Sequence, residues 1–145
     1  MFSPSVGSSS WALGIDVGTS SIKGALISDC GEVLSWARVP FSALFREKTE
    51  DSVPPALWDP WFWEEGLRKL LGQLFSSGVP PLAGISISGN GPSVLPLDKE
   101  GKPLAGALLW HQEQELRLAG DPSFFLPKIN WYKSSLPTVW EKVNR

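Results

Sequence analysis

The sequence predicts an α/β domain, a sheet layer with helices on its faces. Two patterns carry that reading. Three β-rich apolar runs separated by Gly and Asx turns open the chain, and helical and strand signals follow one another after them. The 145 residues suit one ordinary domain of roughly 100–200 residues, large enough for a sizeable core.

Trp11–Val17 is the first β-rich run and ends at Asp16-Val17-Gly18-Thr19-Ser20-Ser21. Ile22–Ser28 is the second. The turn Asp29-Cys30-Gly31 leads to the third, Glu32–Val39, with partial alternation. Such spacing predicts a three-strand antiparallel meander. Phe41–Pro55 mixes charges and prolines and reads as a loop. Asp59-Pro60 then starts a helix, with Asp as N-cap, Pro in the first position, and Glu64 and Glu65 near the positive end. Trp63, Leu67, Leu70, Leu71 and Leu74 recur at three- and four-residue spacing, so the amphipathic helix is expected to run to about Ser77. Leu82–Ser88 is β-like and breaks at Gly89-Asn90-Gly91-Pro92. Ser93–Leu97 and Leu104–Trp110 flank Asp98-Lys99-Glu100-Gly101, a hairpin signal. Three helical candidates follow: about Gln112–Leu118, Leu126–Lys133, and a third from Pro137 to the end.

Composition excludes several chemistries. A net charge of −2, from 13 basic and 15 acidic side chains, argues against nucleic acid or an anionic membrane as partner. The single cysteine, Cys30, excludes an internal disulfide framework and a multi-cysteine zinc site. A single histidine, His111, excludes a histidine-rich metal centre. Residues 1–10 are Ser-rich and uncharged without a following apolar core, which predicts a short disordered leader rather than a secretory signal. No apolar run approaches the ~18–20 residues of a membrane span, so a soluble, cytoplasmic protein is expected.

The chemistry-bearing stretch is Leu13-Gly14-Ile15-Asp16-Val17-Gly18-Thr19-Ser20-Ser21-Ile22-Lys23. An apolar strand delivers Asp16 to its end, where the chain turns at Gly18. Glycine there lets backbone N–H groups approach an anion closely. Thr19, Ser20 and Ser21 add hydroxyl donors, and Lys23 adds positive charge if it points inward. Asp16 is a hard oxygen ligand suited to Mg²⁺ held mainly through water and phosphate. Neither the P-loop nor the Gly-x-Gly-x-x-Gly pattern is present. The competing reading is a solvated hairpin turn of small polar residues; Asp, Gly and three successive hydroxyls between two apolar strands weigh against it.

This segment resembles the first phosphate-binding motif of the FGGY carbohydrate kinases, within the actin-like ATPase (ribonuclease H-like) superfamily. Further matches come in family order over about Leu13–Val143. Asp59-Pro60-Trp61-Phe62-Trp63 resembles the family's helix start. Gly84-Ile85-Ser86-Ile87-Ser88-Gly89, Leu97-Asp98 and Gly101-Lys102-Pro103-Leu104 resemble the strand and hairpin after it. Leu108-Leu109-Trp110 and Pro127-Lys128-Ile129-Asn130-Trp131 resemble its apolar pair plus Trp and its later helix. The resemblance implies a ribonuclease H-like fold over 11–145, the meander extended by a parallel strand. It implies ATP-dependent phosphorylation of a sugar or polyol hydroxyl. Asp16 would serve the Mg²⁺, Gly18, Thr19, Ser20, Ser21 and Lys23 the ATP phosphates, and Asn90, Trp110, His111 and Gln112 the sugar. The family's catalytic aspartate and adenine region belong to a C-terminal ATPase lobe beyond Arg145, so no catalytic residue is expected within the chain.

The chain departs from the family at two substrate positions. Xylulose kinases carry Gly-Gln-Met-His-Gly where this chain has Gly89-Asn90-Gly91-Pro92-Ser93, so xylulose itself is not supported. The family often shows Trp-x-Asp-x-Arg where this chain reads Trp110-His111-Gln112-Glu113-Gln114, which exchanges an acid and a base for amides that make no charge-assisted bonds. Two alternatives therefore stand beside the kinase: a non-catalytic ligand- or partner-binding relative, and a chaperone-type ATPase of the same superfamily.

Overall fold

A computed structural model describes residues 10–46, 57–112 and 123–144. The expected leader, apart from Ser10, and nearly all of the expected helix Gln112–Leu118 lie outside these residues. The chain groups into two compact units: Met1–Phe45 with Phe62–Gly89, and Arg46–Trp61 with Asn90–Arg145.

The first unit holds a sheet of β1 (Trp11–Val17), β2 (Ser21–Ser28), β3 (Val33–Pro40) and β4 (Leu82–Ser88) in the order β3-β2-β1-β4. β1–β2 and β2–β3 are antiparallel, and β4 joins β1 in parallel. The meander and its parallel extension are thus as expected. Alternation sorts the side chains by face, since successive residues of a strand point to opposite sides. Leu13, Ile15, Ile22, Leu26, Ala37 and Val39 are buried. The amphipathic helix α1 (Trp61–Leu74) buries Gly66, Leu70 and Leu74. Two glycines set how closely it approaches the sheet. A Cβ on Gly24 would come within 3.1 Å of both Leu70 Cδ2 and Leu74 Cδ1, and one on Gly66 within 3.1 Å of Ile22 Cγ2.

Asp59 caps α1 as expected, its Oδ1 accepting from the Trp61 N–H at 2.9 Å, and the helix begins at Trp61, one residue after Pro60. It ends at Leu74 rather than Ser77, because the hydrogen bonds tighten from the α pattern to Ser76→Gln73 and Gly78→Phe75. The expected loop Phe41–Pro55 opens with a single 3₁₀ turn, Phe41–Ala43; residues 47–56 lie outside the described set.

In the second unit the hairpin expected from Ser93–Leu97 and Leu104–Trp110 is a connection without ladder strands. Isolated antiparallel bridges, Val94↔Leu108 and Leu97↔Pro103, and the Leu104 N–H donating to the Pro96 carbonyl join its arms. Prolines 92, 96 and 103 lack the N–H donors that a continuous ladder needs. Asp98 closes the turn, its Oδ1 accepting from the N–H groups of Glu100 (2.9 Å) and Lys102 (2.8 Å). Trp58 adds a further bridge to Ala107. Helix α2 (Leu126–Ser135) is two residues longer than expected. α3 is confined to Pro137–Trp140, short of the expected run to the chain end. Leu57, Leu108 and Tyr132 form the core of this unit, with Val94, Trp131, Leu136 and Trp140 packed against it.

Candidate functional site

The β1–β2 turn is built by the register of its strands. Asp16 pairs with Lys23 across the antiparallel ladder, so both side chains leave the sheet on one face. Lys23 Nζ donates to Asp16 Oδ2 at 3.1 Å, and the two side chains are 52% and 48% exposed. Lys23 is thus a half-exposed cation paired with the acid at the strand end.

Between them, the Gly18 N–H donates to the Ser21 carbonyl at 3.0 Å and closes the turn. A Cβ on Gly18 would lie 3.1 Å from that carbonyl oxygen and 3.9 Å from Asp16 Oδ2. The glycine is there for closeness of approach, between the turn's own backbone and the carboxylate. Thr19 and Ser20 are exposed on the turn. Ser21 differs from them: it is buried, and its Oγ accepts a hydrogen bond from Arg38 Nε at 3.1 Å.

Arg38 was not among the predicted site residues. It stands opposite Lys23 in the β2–β3 register, so Asp16, Lys23 and Arg38 form one row across three strands. Pairing the meander strand by strand from the turns would have found it. Together with Gly14, Ala25 and Trp36 these residues line an open concavity of about 580 Å³. Its floor is apolar and its charge lies along one end.

The donor set fits a phosphate-borne Mg²⁺. Asp16 offers a divalent ion a half-exposed carboxylate at the strand end. Mg²⁺ keeps several waters and takes one or two carboxylates plus phosphate oxygens, which suits this arrangement better than an all-protein cage would.

The remaining candidates lie in the second unit. Asn90 sits in the turn after β4, where its carbonyl accepts from Ser93 Oγ at 2.5 Å. Trp110 and His111 are exposed, with ring centroids 5.5 Å apart at 78°. Gln112 Oε1 accepts the Leu109 N–H at 2.6 Å. The structure thus brings together Asp16, Gly18, Thr19, Ser20, Ser21 and Lys23 in one unit and Trp110, His111 and Gln112 in the other.

The sequence model of the FGGY family of carbohydrate kinases, N-terminal domain, matches residues 11–120. The chain belongs to this family. It is 31% identical to a xylulose kinase of Lactococcus lactis subsp. lactis over 156 aligned positions, covering 93% of this chain and 30% of that protein. Among solved structures it is similar to the xylulose kinase from Rhodospirillum rubrum, with TM-score 0.68, 25% identity, 92% of this chain and 31% of the other. It shares the fold of Plasmodium falciparum glycerol kinase with ADP, at TM-score 0.69, 18% identity, 95% of this chain and 31% of the other. The chain therefore spans about 30% of the length of the FGGY kinases it matches. A four-stranded sheet, three strands antiparallel and one joined in parallel, together with helices is the actin-like ATPase arrangement of that family. Among the described residues no helix is long and apolar enough to cross a membrane.

Proposed function

We propose that this chain supplies the phosphate-gripping turn and part of the sugar-facing wall of an ATP-dependent carbohydrate kinase. One observation carries the reading: β1 delivers Asp16 to a glycine-closed turn with Lys23 in register beside it, 3.1 Å away. In this reading Thr19, Ser20 and the turn's backbone approach the ATP phosphates. Lys23 neutralises their charge, and Asp16 holds Mg²⁺. The bound ion would neutralise charge on the β/γ-phosphates. Phosphoryl transfer asks little covalent chemistry of the protein, so positioning and charge neutralisation dominate. The γ-phosphoryl group passes to a sugar or polyol hydroxyl, ADP leaves, and the hydroxyl proton goes to a carboxylate outside these 145 residues. Asn90, Trp110 and His111 face the sugar, with Trp110 taking its apolar C–H surface.

A second reading, a binding relative without turnover, draws on Gln112. An amide whose oxygen is committed to the Leu109 N–H stands where the family often has an acid. A panel of sugars and polyols that includes xylulose, gluconate and glycerol separates the two readings. Each compound is assayed with Mg·ATP for ADP release by the protein carrying its ATPase lobe. Sugar-dependent release, lost in Asp16→Ala, is the expected result. Saturable sugar binding without turnover identifies the binding relative, and sugar-independent release identifies a chaperone-type ATPase.

A further inference from the structure

The turn that carries Trp110 and His111 is closed twice. The Gln112 N–H donates to the Leu109 carbonyl at 3.1 Å, and the Leu109 N–H donates to Gln112 Oε1 at 2.6 Å. A Glu or Gln side chain is long enough to reach back three residues to a backbone N–H, and that length is what spans the turn. A backbone N–H only donates, so the bond fixes the amide: Oε1 faces Leu109, and Nε2 is the other end. Behind the turn, Ala107, Leu108 and Leu109 are 0%, 1% and 5% exposed, which makes a rigid foundation. In front stand Trp110, 49% exposed, and His111, their rings edge to face.

We propose that Gln112 is a positioning residue that locks the Leu109–Gln112 turn and so holds Trp110 and His111 as a substrate-facing platform. This inference rests on the sugar-binding role proposed above and refines it. With Oε1 anchoring the turn, recognition falls to the exposed Trp110 and His111 rings that the turn presents. Asparagine or aspartate is one methylene shorter and does not span the same distance.

Three variants of this chain test the proposal: Gln112→Leu, which removes the acceptor; Gln112→Asn, which shortens it; and Gln112→Glu, which keeps length and acceptor. The readouts are amide exchange at Leu109, the ring-current shift of the His111 ring protons beside Trp110, and sugar affinity from the Trp110 indole signal. The same panel of sugars serves as probe. Gln112→Leu and Gln112→Asn are expected to exchange Leu109 about fivefold faster, to lose the His111 shift, and to bind sugar about fivefold more weakly, while Gln112→Glu stays within about twofold of wild type. Unchanged Leu109 exchange in Gln112→Leu overturns the proposal. So does weakened sugar binding in Gln112→Glu with Leu109 still protected, because the amide would then be touching the sugar directly. If no sugar perturbs the wild-type signal, the substrate-facing half falls together with the proposed function. The Leu109 exchange then still decides whether Gln112 grips the turn.

Discussion

Asp16 and Lys23 meet because one antiparallel register sets them opposite, and half-exposed pairs of this kind contribute about 0–1 kcal/mol. Stability alone is a weak reason for placing an acid at this strand end. Asp16→Ala is accordingly expected to change unfolding free energy by less than about 1 kcal/mol. Sugar-dependent ADP release, by contrast, should fall about 100-fold, a loss typical of removing one charge-stabilising group. Urea melts and a coupled ADP assay give the two numbers, and a large stability loss with activity intact would make the pair structural. Gly18→Ala is expected to cost stability as well. Its Cβ would press to 3.1 Å from the Ser21 carbonyl oxygen, so the turn must shift. The cost is about 1 kcal/mol of stability, seen as a lower urea midpoint. Arg38 bears on the same turn from β3 through the buried Ser21 hydroxyl. It therefore supports the turn's shape.

At the level of elements, the start of α1 rests on Asp59, whose Oδ1 takes the Trp61 N–H while its Oδ2 takes Arg46 at 2.6 Å. Arg46 in turn lies over the Trp61 ring, 5.6 Å from its centroid. Asp59→Ala removes the cap and frees the arginine. A stability loss of about 1–2 kcal/mol is expected, with Asp59→Asn recovering most of the cap. Thermal melts of both variants check this. The cap was legible in the sequence because Asp-Pro before a periodic apolar run specifies a start chemically. The meander was legible for a similar reason: alternation and Gly turns fix both strands and register. The hairpin arms were legible in order but not in kind, since Pro92, Pro96 and Pro103 leave bridges where a ladder would need donors. Trp58 joined to Ala107 was not legible at all, because a one-residue bridge has no period to read. Of the candidate site, Asp16, Gly18 and Lys23 were readable from one motif. The separate fates of the three hydroxyls were not. Which of them turns inward depends on Arg38, seventeen residues from Ser21 along the chain.

For the molecule as a whole, two consequences follow from where its polar groups lie. Tyr132 is 1% exposed, and its hydroxyl donates to the Gly106 carbonyl at 2.6 Å. Burial pushes its phenol well above the usual range. A raised pKa means the stabilisation is fully present below the unfolded tyrosine's value near ~10 and is lost as pH climbs above it, because the unfolded chain ionises first. Near-UV circular dichroism should therefore show loosening above about pH 10, absent in Tyr132→Phe, which itself costs about 1 kcal/mol at neutral pH. The second consequence concerns nucleotide. In the proposed reading the groups that would meet a triphosphate are one lysine, one turn of exposed Thr19 and Ser20, and an acid already paired with that lysine. Exposed contacts of this sort contribute about 0–1 kcal/mol each, and a Kd of 1 mM already requires about 4 kcal/mol. The 145-residue chain should thus bind Mg·ATP no more tightly than about millimolar, and more weakly as salt rises, because half-exposed charges are screened. Isothermal titration at two ionic strengths measures this. Nanomolar, salt-independent binding would mean that these residues hold the nucleotide by something other than the β1–β2 turn, and the assignment of Asp16, Gly18 and Lys23 would fail with it.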